Sequence, residues 1–410
     1  MGKTWLIREF GRRRFDKTAY VTFFDNENAH RIFDGSVDAR RIVDALSIET
    51  GVRIDAHDTL LILDEVQECP RALMSLKSFA EQMPELAVIA AGSLLGVALS
   101  RGGRRAGGAM FPVGKVSWLT LYPMTFIEYL RATEGDALAS TLARGDLAMA
   151  EVFREKLTDA LRRYYYVGGM PEAVSAFASS HDLRDARSVQ NDLLLSYEHD
   201  FSKYATASEA ERIRLVWRSV PSQLARENRK FVYSAVRPSG RARDFEAAIQ
   251  WLVDAGLLTK VPRISKPGLP LSAYEDLGAF KLFLLDTGLL GARSRLPASA
   301  VIEGDRLFSE FKGALSEQYV CQQMVASGLE PWYWSAERSD GEVDFLFERG
   351  GIVHPMEVKA EENLRAKSLR AFCARYDVGR ALRLSMSGYR REEWLTNVPL
   401  YAAGCIGSLT

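Results

Sequence analysis

The chain has 410 residues, of which 47% are hydrophobic and 26% charged, with 53 basic and 53 acidic side chains. At roughly 100–200 residues per domain, this length predicts two to four domains, and the apolar fraction excludes disorder as the main state. The balanced charge excludes a protein that is basic overall and coats nucleic acid or anionic membrane, while a local basic face stays open.

Short apolar runs alternate with helical segments over residues 1–122. Thr18–Phe24, Thr59–Asp64 and Leu86–Ala91 are predicted strands, and Val113–Leu119 is a weaker fourth candidate. The continuous apolar runs in the second and third of these are typical of strands that are buried on both faces. The alternation of strands and helices predicts an α/β fold with a parallel sheet covered by helices.

The remainder of the chain divides into three regions. From Pro123 to about Lys203 the pattern is helical, with a turn at VGGMP (167–171). A small helical unit that closes in a hairpin follows, and from Glu303 a long helix and three strands indicate a second α/β module. The predicted domains are a parallel-sheet core at 1–122, a helical lid at 123–204, a middle domain at 205–300 and the C-terminal module at 301–410.

Two short motifs in the first region have the chemistry of a nucleotide site. Gly2, Lys3 and Thr4 precede a helical segment, and Asp64 and Glu65 end an apolar strand in the manner of a Walker B motif. A lysine at a helix N-terminus reaches the phosphates of ATP, and the threonine hydroxyl binds Mg²⁺. The aspartate holds the metal through water and the glutamate polarises the attacking water. The alternative is a coincidence of loop residues in an α/β domain.

A third polar group follows the next strand, and the phosphate loop itself is incomplete. Ser93 follows an apolar strand, where a hydroxyl can sense the γ-phosphate. The full motif is G-x-x-x-x-G-K-[ST] after a strand, whereas here Met1 directly precedes Gly2. The first glycine, most of the loop and the preceding strand are absent from this sequence, and with them most of the phosphate-binding N–H groups. Two explanations stay open: a natural start upstream, or a domain that has decayed.

The C-terminal module contains a second set of carboxylates. Glu317 lies on the predicted long helix and Asp344 on a predicted strand, while strand alternation puts Glu357 and Lys359 on one face of the next strand. This order resembles the core of PD-(D/E)XK nucleases. There, carboxylates hold Mg²⁺, and the lysine positions or activates water for phosphodiester cleavage. The resemblance makes Glu317, Asp344 and Glu357 candidate metal ligands and Lys359 a candidate catalytic residue. The alternative is a retained fold in which Glu357 and Lys359 form a salt bridge.

Motifs along the whole chain resemble one group of proteins. The segments GKTWLIREFG, LLILDEVQECP, AAGSLLGVAL, FPVGKVSWLTLYPMTFIEYL, VGGMPEAV and EVDFLFE with MEVKA are similar to bacterial and archaeal AAA+-type ATPases that carry a C-terminal domain of unknown function. The resemblance implies ATP binding at Lys3 and Thr4, Mg²⁺ support from Asp64 and water activation by Glu65. Such proteins usually have an upstream segment that completes the loop, which favours a truncated sequence.

Two groups of basic residues have weaker assignments. The segment 210–263 resembles a winged helix, which binds nucleic acid in some proteins and serves as a protein-docking or lid domain in others. Its candidates for phosphate contact are Arg241, Arg243, Arg263 and Lys266. The candidates for an arginine finger are Arg101, Arg104 and Arg105. The alternative for this second group is a solvated basic loop.

The main hypothesis is a cytoplasmic AAA+-type ATPase with ATP and Mg²⁺ as cofactors, whose nucleotide state controls the nuclease-like module. One alternative is a Mg²⁺-dependent nuclease with a vestigial ATPase, and another is a non-enzymatic regulator that binds DNA or protein. The four cysteines are scattered and form no CxxC pair, as expected in a reducing cytoplasm. No apolar run is long enough to predict a membrane span. Nucleic acid, a protein partner and oligomer formation stay open.

Overall fold

The computed structural model of the chain describes residues 2–35, 37–93, 95–97, 114–302, 309–336, 341–361 and 366–410. The chain forms two compact units. The first comprises Met1–Leu121 with Asp254–Gly256, and the second comprises Tyr122–Val253 with Leu257–Thr410. Both units combine helices with strands, so the predicted α/β class is confirmed. Among the helices that are described, none combines the length and the apolarity needed to cross a membrane.

The first unit alternates helices and strands. Its elements are α1 (Lys3–Arg14), β1 (Lys17–Thr22), α2 (Glu27–Gly35), α3 (Ala39–Thr50), β2 (Thr59–Asp64), α4 (Pro70–Gln82) and β3 (Ala87–Ala90). Over the described residues the three strands form a parallel sheet in the order β1-β2-β3. The three main strand predictions are therefore confirmed. The fourth is wrong over its described part, 114–119, which forms no strand. The side chain of Leu119 is 94% exposed there, so the burial that stabilises an apolar strand is missing.

Strand β2 is the centre of this sheet, and all six of its residues are buried. Leu61 and Leu63 belong to the apolar core that α2, α3 and α4 cover. Side chains alternate along a strand, so Asp64 lies on the opposite face together with Leu60. Helix α1 packs on that face, because a Cβ placed on Gly11 would lie 3.1 Å from Leu60 Cδ2. The alternation of β2 thus directs Asp64 towards the face that α1 covers.

The second unit opens with helices, as predicted for the region after Pro123. They are α5 (Phe126–Thr133), α6 (Asp136–Ala143), α7 (Leu147–Val152), α8 (Arg154–Val167), α9 (Pro171–Ser180), α10 (Leu183–Tyr204), α11 (Ala207–Leu224), α12 (Tyr233–Val236) and α13 (Ala242–Asp254). The predicted VGGMP turn separates α8 from α9. Gly168 there has a φ of 72°, and a Cβ on it would lie 2.2 Å from Asp286 Oδ1. The turn therefore requires glycine.

A mixed sheet follows the helices. Its strands are β4 (Leu258–Ile264), β5 (Glu275–Leu284), β6 (Trp332–Ser335), β7 (Glu342–Arg349), β8 (Ile352–Val358), β9 (Ala381–Ser385), β10 (Arg390–Arg391) and β11 (Leu395–Pro399). The helices among them are α14 (Thr287–Arg293), α15 (Ala298–Ile302), α16 (Ser309–Ala326), α17 (Lys367–Tyr376) and α18 (Ile406–Leu409). The strand order over the described residues is β10-β11-β9-β8-β7-β6-β4-β5. Because β4 pairs with β6, the hairpin of region 205–300 and the strands of region 301–410 share one sheet.

Candidate functional site

The N-terminus of α1 lies at the carboxyl end of β2. Gly2 is the N-cap of α1, has a φ of 81° and forms no side-chain capping hydrogen bond. The first turn of α1 contains no acidic residue. The first backbone N–H groups of a helix lack intrahelical partners, and the helix dipole favours an anion beside them. The start of α1 therefore has the electrostatic character that a phosphate requires.

The two residues predicted to hold Mg²⁺, Thr4 and Asp64, are in contact. Thr4 Oγ1 donates a hydrogen bond to Asp64 Oδ2 across 2.7 Å. The hydroxyl of Tyr20 donates to the same oxygen across 2.9 Å, and the backbone N–H of Glu65 donates to Oδ1 across 3.0 Å. The Asp64 side chain is buried, so these donors hold its carboxylate in one orientation. The structure thus brings the predicted Thr4 and Asp64 together.

Tyr20 was not predicted as a site residue, although the sequence contains a signal for it. Strand β1 pairs in parallel with β2, and its register places Thr22 beside Asp64. Alternation then puts Tyr20 and Thr22 on the same sheet face as Asp64. The signal for Tyr20 was therefore its hydroxyl, which lies on a strand next to the strand that ends in Asp64. Burial, together with the hydrogen bond to Asp64, raises the pKa of Tyr20. The hydroxyl therefore keeps its proton and donates a hydrogen bond to the carboxylate.

Lys3 points to the loop that follows β3. Its Nζ donates a hydrogen bond to the carbonyl oxygen of Gly92 across 2.7 Å. Burial lowers the pKa of Lys3, while the charges of Glu65 and Asp64 act in the opposite direction. The ammonium group therefore lies close to both carboxylates of the predicted site, with a neutral carbonyl as its hydrogen-bond acceptor.

Glu65, the predicted catalytic residue, contacts two polar side chains. Its backbone has a φ of 52°, and its Oε2 accepts a hydrogen bond from Gln67 Nε2. Ser93 Oγ lies 3.4 Å from the same Oε2, so the predicted γ-phosphate sensor is adjacent to the predicted base. A Cβ on Gly92 would lie 2.2 Å from Gln67 Oε1, so glycine is required for Gln67 to occupy this place. Gln67 was not predicted as a site residue. The one indication of its role in the sequence was its position two residues after Glu65.

Together, the predicted cofactor residues Gly2, Lys3, Thr4, Asp64 and Ser93 and the predicted base Glu65 lie at one end of the first unit's sheet. Oxygen donors such as a hydroxyl and a carboxylate are the ligands that Mg²⁺ prefers. The Thr4–Asp64 pair fits the metal by the chemistry of its donors. The three candidates for an arginine finger, Arg101, Arg104 and Arg105, lie outside the described residues.

The second predicted site is partly assembled. Phe345 on β7 pairs with Met356 on β8, so the next positions along this antiparallel ladder are Asp344 and Glu357. Asp344 Oδ2 accepts a hydrogen bond from the backbone N–H of Val358 across 2.8 Å. Lys359 Nζ lies 2.6 Å from Glu357 Oε1. Burial raises the pKa of Glu357, and Lys359 opposes that shift. Asp344, Glu357 and Lys359 thus lie together, with a salt bridge between the last two.

Glu317, the third predicted metal ligand, is paired differently. Its side chain on α16 is buried, with Oε1 2.5 Å from Arg229 Nη1 and Oε2 3.6 Å from Lys281 Nζ. In the part of the chain that the structure describes, no three Asp, Glu, His or Cys side chains form a group that could hold a metal ion. The expected set of Glu317, Asp344 and Glu357 is therefore not brought together as a metal centre, because two basic side chains take the oxygens of Glu317.

The sequence around Lys281 indicates that this lysine is buried and paired, although no such role was predicted for it. Lys281 interrupts the apolar run of β5, where neighbouring residues are buried. Lysine is almost never fully buried without a partner, so a lysine in such a run predicts a buried carboxylate elsewhere in the fold. The Lys281 side chain is 0% exposed, and it forms ion pairs with Glu317 and Glu342.

The basic residues of the predicted winged helix differ in accessibility. Arg241 and Arg243 are exposed at the start of α13. Arg263 is largely buried, and its Nη2 lies 3.2 Å from Asp276 Oδ2. Lys266 Nζ lies 4.7 Å from the ring centre of Tyr274. An arginine that already pairs with a carboxylate has less capacity for a phosphate, so the structure leaves Arg241 and Arg243 as the open members of this group.

Three family models match parts of the chain. Residues 1–130 match the family model described as AAA domain. Residues 158–300 and 312–402 match two models described as Domain of unknown function (DUF8612) and Domain of unknown function (DUF4143). Among solved structures, the chain is similar to the Walker-type ATPase PABY2304 of Pyrococcus abyssi, with a TM-score of 0.43 and 12% identity over 72% of this chain and 88% of that chain. No curated protein matches the chain.

The AAA match supports a P-loop ATPase domain that binds ATP in the first unit. The other two families have no described activity. The winged-helix and nuclease relationships, the four-domain division and an upstream completion of the loop therefore stay predictions.

Proposed function

We propose that this protein is a Mg²⁺-dependent ATPase that binds and hydrolyses ATP at the carboxyl end of β2. The observation that carries the proposal is the hydrogen bond of 2.7 Å between Thr4 Oγ1 and Asp64 Oδ2, at the N-terminus of α1. A phosphate-binding helix start and a buried carboxylate on the central strand are the two halves of a P-loop site. Here they lie in direct contact although they are far apart in sequence.

Lys3 is the phosphate-binding cation in this proposal. Its ammonium group now donates to a neutral carbonyl oxygen of Gly92. The β- and γ-phosphate oxygens of ATP are stronger acceptors because they are charged, and charge-assisted hydrogen bonds are about twice as strong as neutral ones. We expect the phosphates to replace Gly92 as the acceptor. The helix dipole of α1 acts in the same direction.

Thr4 and Asp64 would hold Mg²⁺, which when bound neutralises charge on the phosphate oxygens. In this assignment the Thr4 hydroxyl would be a ligand of the metal, and Asp64 would support it through water. Tyr20 and the backbone N–H of Glu65 fix the orientation of the Asp64 carboxylate. Tyr20 is therefore a positioning residue, because it acts through Asp64.

Glu65 is the general base. Its carboxylate takes a proton from the attacking water while the water oxygen forms a bond to the γ-phosphorus. The bond from that phosphorus to the β–γ bridging oxygen breaks, and ADP leaves with the electron pair. Ser93 lies beside Glu65, where its hydroxyl can donate to a γ-phosphate oxygen. Gln67 holds the Glu65 carboxylate in the structure described here.

The test is the Mg²⁺ dependence of ATP affinity in the Thr4→Val variant. We expect Mg²⁺ to tighten ATP binding in the natural chain and to have about 10- to 100-fold less effect in the variant. This magnitude takes the loss of one metal ligand to be comparable to the loss of one hydrogen bond to a charged group. A fluorescent ATP analogue titrated with and without Mg²⁺ measures this. Thr18→Val, on the neighbouring strand β1, is the matched control. Equal Mg²⁺ dependence in both variants would contradict the assignment of Thr4.

For the second unit, we favour the alternative of a retained fold with a salt-bridged Glu357–Lys359 face. Glu357 and Lys359 form a salt bridge of 2.6 Å, as expected of a retained fold. Control of this unit by the nucleotide state stays a prediction.

A further inference from the structure

The second unit contains a group of charged side chains that combines two of the predicted metal ligands with two basic residues and a further glutamate. The group consists of Arg229, Lys281, Glu317, Glu342 and Asp344. All five lie within the second unit, but Arg229 and Lys281 come from region 205–300, whereas the carboxylates come from α16 and β7. We call this group the charge cluster. It has three carboxylates and two cations, and the two cations face the Glu317 oxygens that a metal ion would need as ligands.

Lys281 is the central cation of the charge cluster. It is on β5, its side chain is 0% exposed, and its Nζ lies 3.6 Å from Glu317 Oε2 and in an ion pair with Glu342. The ring centre of Tyr333 lies 4.9 Å from the same Nζ and adds a cation–π contact. A buried ammonium group requires such partners, since an unpaired charge in the protein interior is strongly unfavourable.

Arg229 covers the other oxygen of Glu317. Its Nη1 lies 2.5 Å from Glu317 Oε1, and 17% of its side chain is exposed. It belongs to the segment between α11 and α12 and has a φ of 49°. Each oxygen of Glu317 thus faces one protein cation. A divalent ion at this carboxylate would meet two like charges at short range and would have to displace at least one of them.

Each of the remaining predicted ligands has one oxygen engaged, while Glu357 Oε2 is buried without a hydrogen-bond partner in the described part of the chain. Asp344 Oδ2 accepts the backbone N–H of Val358, and Glu357 Oε1 pairs with Lys359. Magnesium requires near-octahedral coordination by oxygens that are free to face it. Both oxygens of Glu317 face cations, and among the described residues these carboxylates form no group that could hold a metal ion. Three cations of the chain, Arg229, Lys281 and Lys359, pair with carboxylates of this region.

We propose that Lys281 and Arg229 are internal counter-ions in the cation position of this carboxylate group, so that the second unit binds no divalent metal there. The ion pairs instead join β5 and the segment before α12 to α16 and β7. The second unit then keeps the strand placement of Asp344 and Glu357 without the metal that phosphodiester cleavage would use. The inference does not rest on the proposed ATPase activity, because every residue in it belongs to the other unit.

The probe is Mn²⁺ without nucleotide, with free Mn²⁺ measured by electron paramagnetic resonance on the full chain. All variants carry Asp64→Asn, so that the first unit's carboxylate makes no contribution. We expect this background and its Asp344→Asn derivative to bind Mn²⁺ equally, with no site that depends on Asp344. One Mn²⁺ per chain that disappears with Asp344→Asn would overturn the proposal.

Lys281→Met tests the position of the internal cation. We expect the folded variant to gain one Mn²⁺ site per chain, to lose it again when Asp344→Asn is added, and to gain none in the charge-conserving Lys281→Arg variant. Circular dichroism establishes that each variant is folded. A folded Lys281→Met chain that gains no Mn²⁺ site would overturn the assignment. If this variant does not fold, the proposal is tested by the first comparison, in which Lys281 is retained and Mn²⁺ binding is measured with Asp344 and with Asp344→Asn.

Discussion

Glu65→Gln is expected to slow ATP turnover by about 10²- to 10⁴-fold, the usual contribution of a general base, while Mg²⁺-ATP affinity changes by less than about threefold. Glutamine has nearly the same shape as glutamate but cannot take a proton from water. The hydrogen bond from the Glu65 backbone to Asp64 is also retained, because it does not involve the side chain. Steady-state phosphate release gives the turnover, and a nucleotide titration gives the affinity.

The matched control for this prediction is Glu81→Gln. Glu81 is a half-exposed carboxylate of the same unit, 3.5 Å from Lys115 and far in sequence from the acidic end of β2. We expect its turnover to equal that of the natural chain. Full turnover in Glu65→Gln would contradict the role of Glu65 as base. A parallel loss of affinity would instead mean that Glu65 contributes to the site mainly by holding its structure.

Lys281→Met is expected to lower the free energy of unfolding by about 3–5 kcal/mol at neutral pH, which is the usual cost of leaving a buried charge without its partner. The variant retains the volume of the side chain but leaves Glu317 and Glu342 with one cation fewer. Chemical denaturation of the full chain, followed by far-UV circular dichroism, measures the loss. Lys312→Met is the control, because Lys312 forms an exposed pair with Glu361 at 3.5 Å and should cost less than about 1 kcal/mol.

The loss in Lys281→Met should also depend on pH. Burial raises the pKa of Glu317 to about 7 and raises that of Glu342, with Lys281 opposing both shifts. Removing Lys281 therefore raises both values further. A carboxyl group whose pKa is raised by folding stabilises the fold below its unfolded value and loses that contribution as the pH rises through the folded value. The destabilisation should be smaller at pH 5 than at pH 8. An equal loss at both values would contradict the buried ion pair.

Much of the first unit could be predicted from sequence, because its signals are local. An apolar run that ends in Asp64 and Glu65 indicates a central strand with an acidic end, and the structure has β2 at the predicted residues. Alternation along β2 then decides which face Asp64 occupies. The start of α1 could be predicted as well, because a lysine and a threonine after a glycine are typical of a phosphate-binding helix start.

Other features depend on contacts between residues that are distant in sequence. Tyr20 reaches Asp64 through the register of β1 with β2, which a single sequence does not specify. Glu317 was expected to join Asp344 and Glu357, but its partners come from a strand and a loop of another region. Lys281 shows the limit most clearly. Its burial could be expected from the apolar run around it, whereas the identity of its carboxylate partners required the pairing of β4 with β6 and the packing of α16.

The most direct test of the ATPase proposal is a calorimetric titration of the full chain with Mg²⁺-ATP, with Lys3→Met and Lys17→Met in parallel. Lys17 belongs to the same unit but pairs with Asp58 at 2.7 Å on the surface, so it serves as the matched lysine. We predict one saturable site in the natural chain and in Lys17→Met, weakened at least about tenfold in Lys3→Met, the equivalent of 1.4 kcal/mol. Absence of saturable binding in the natural chain, or equal binding in Lys3→Met, would contradict the proposal.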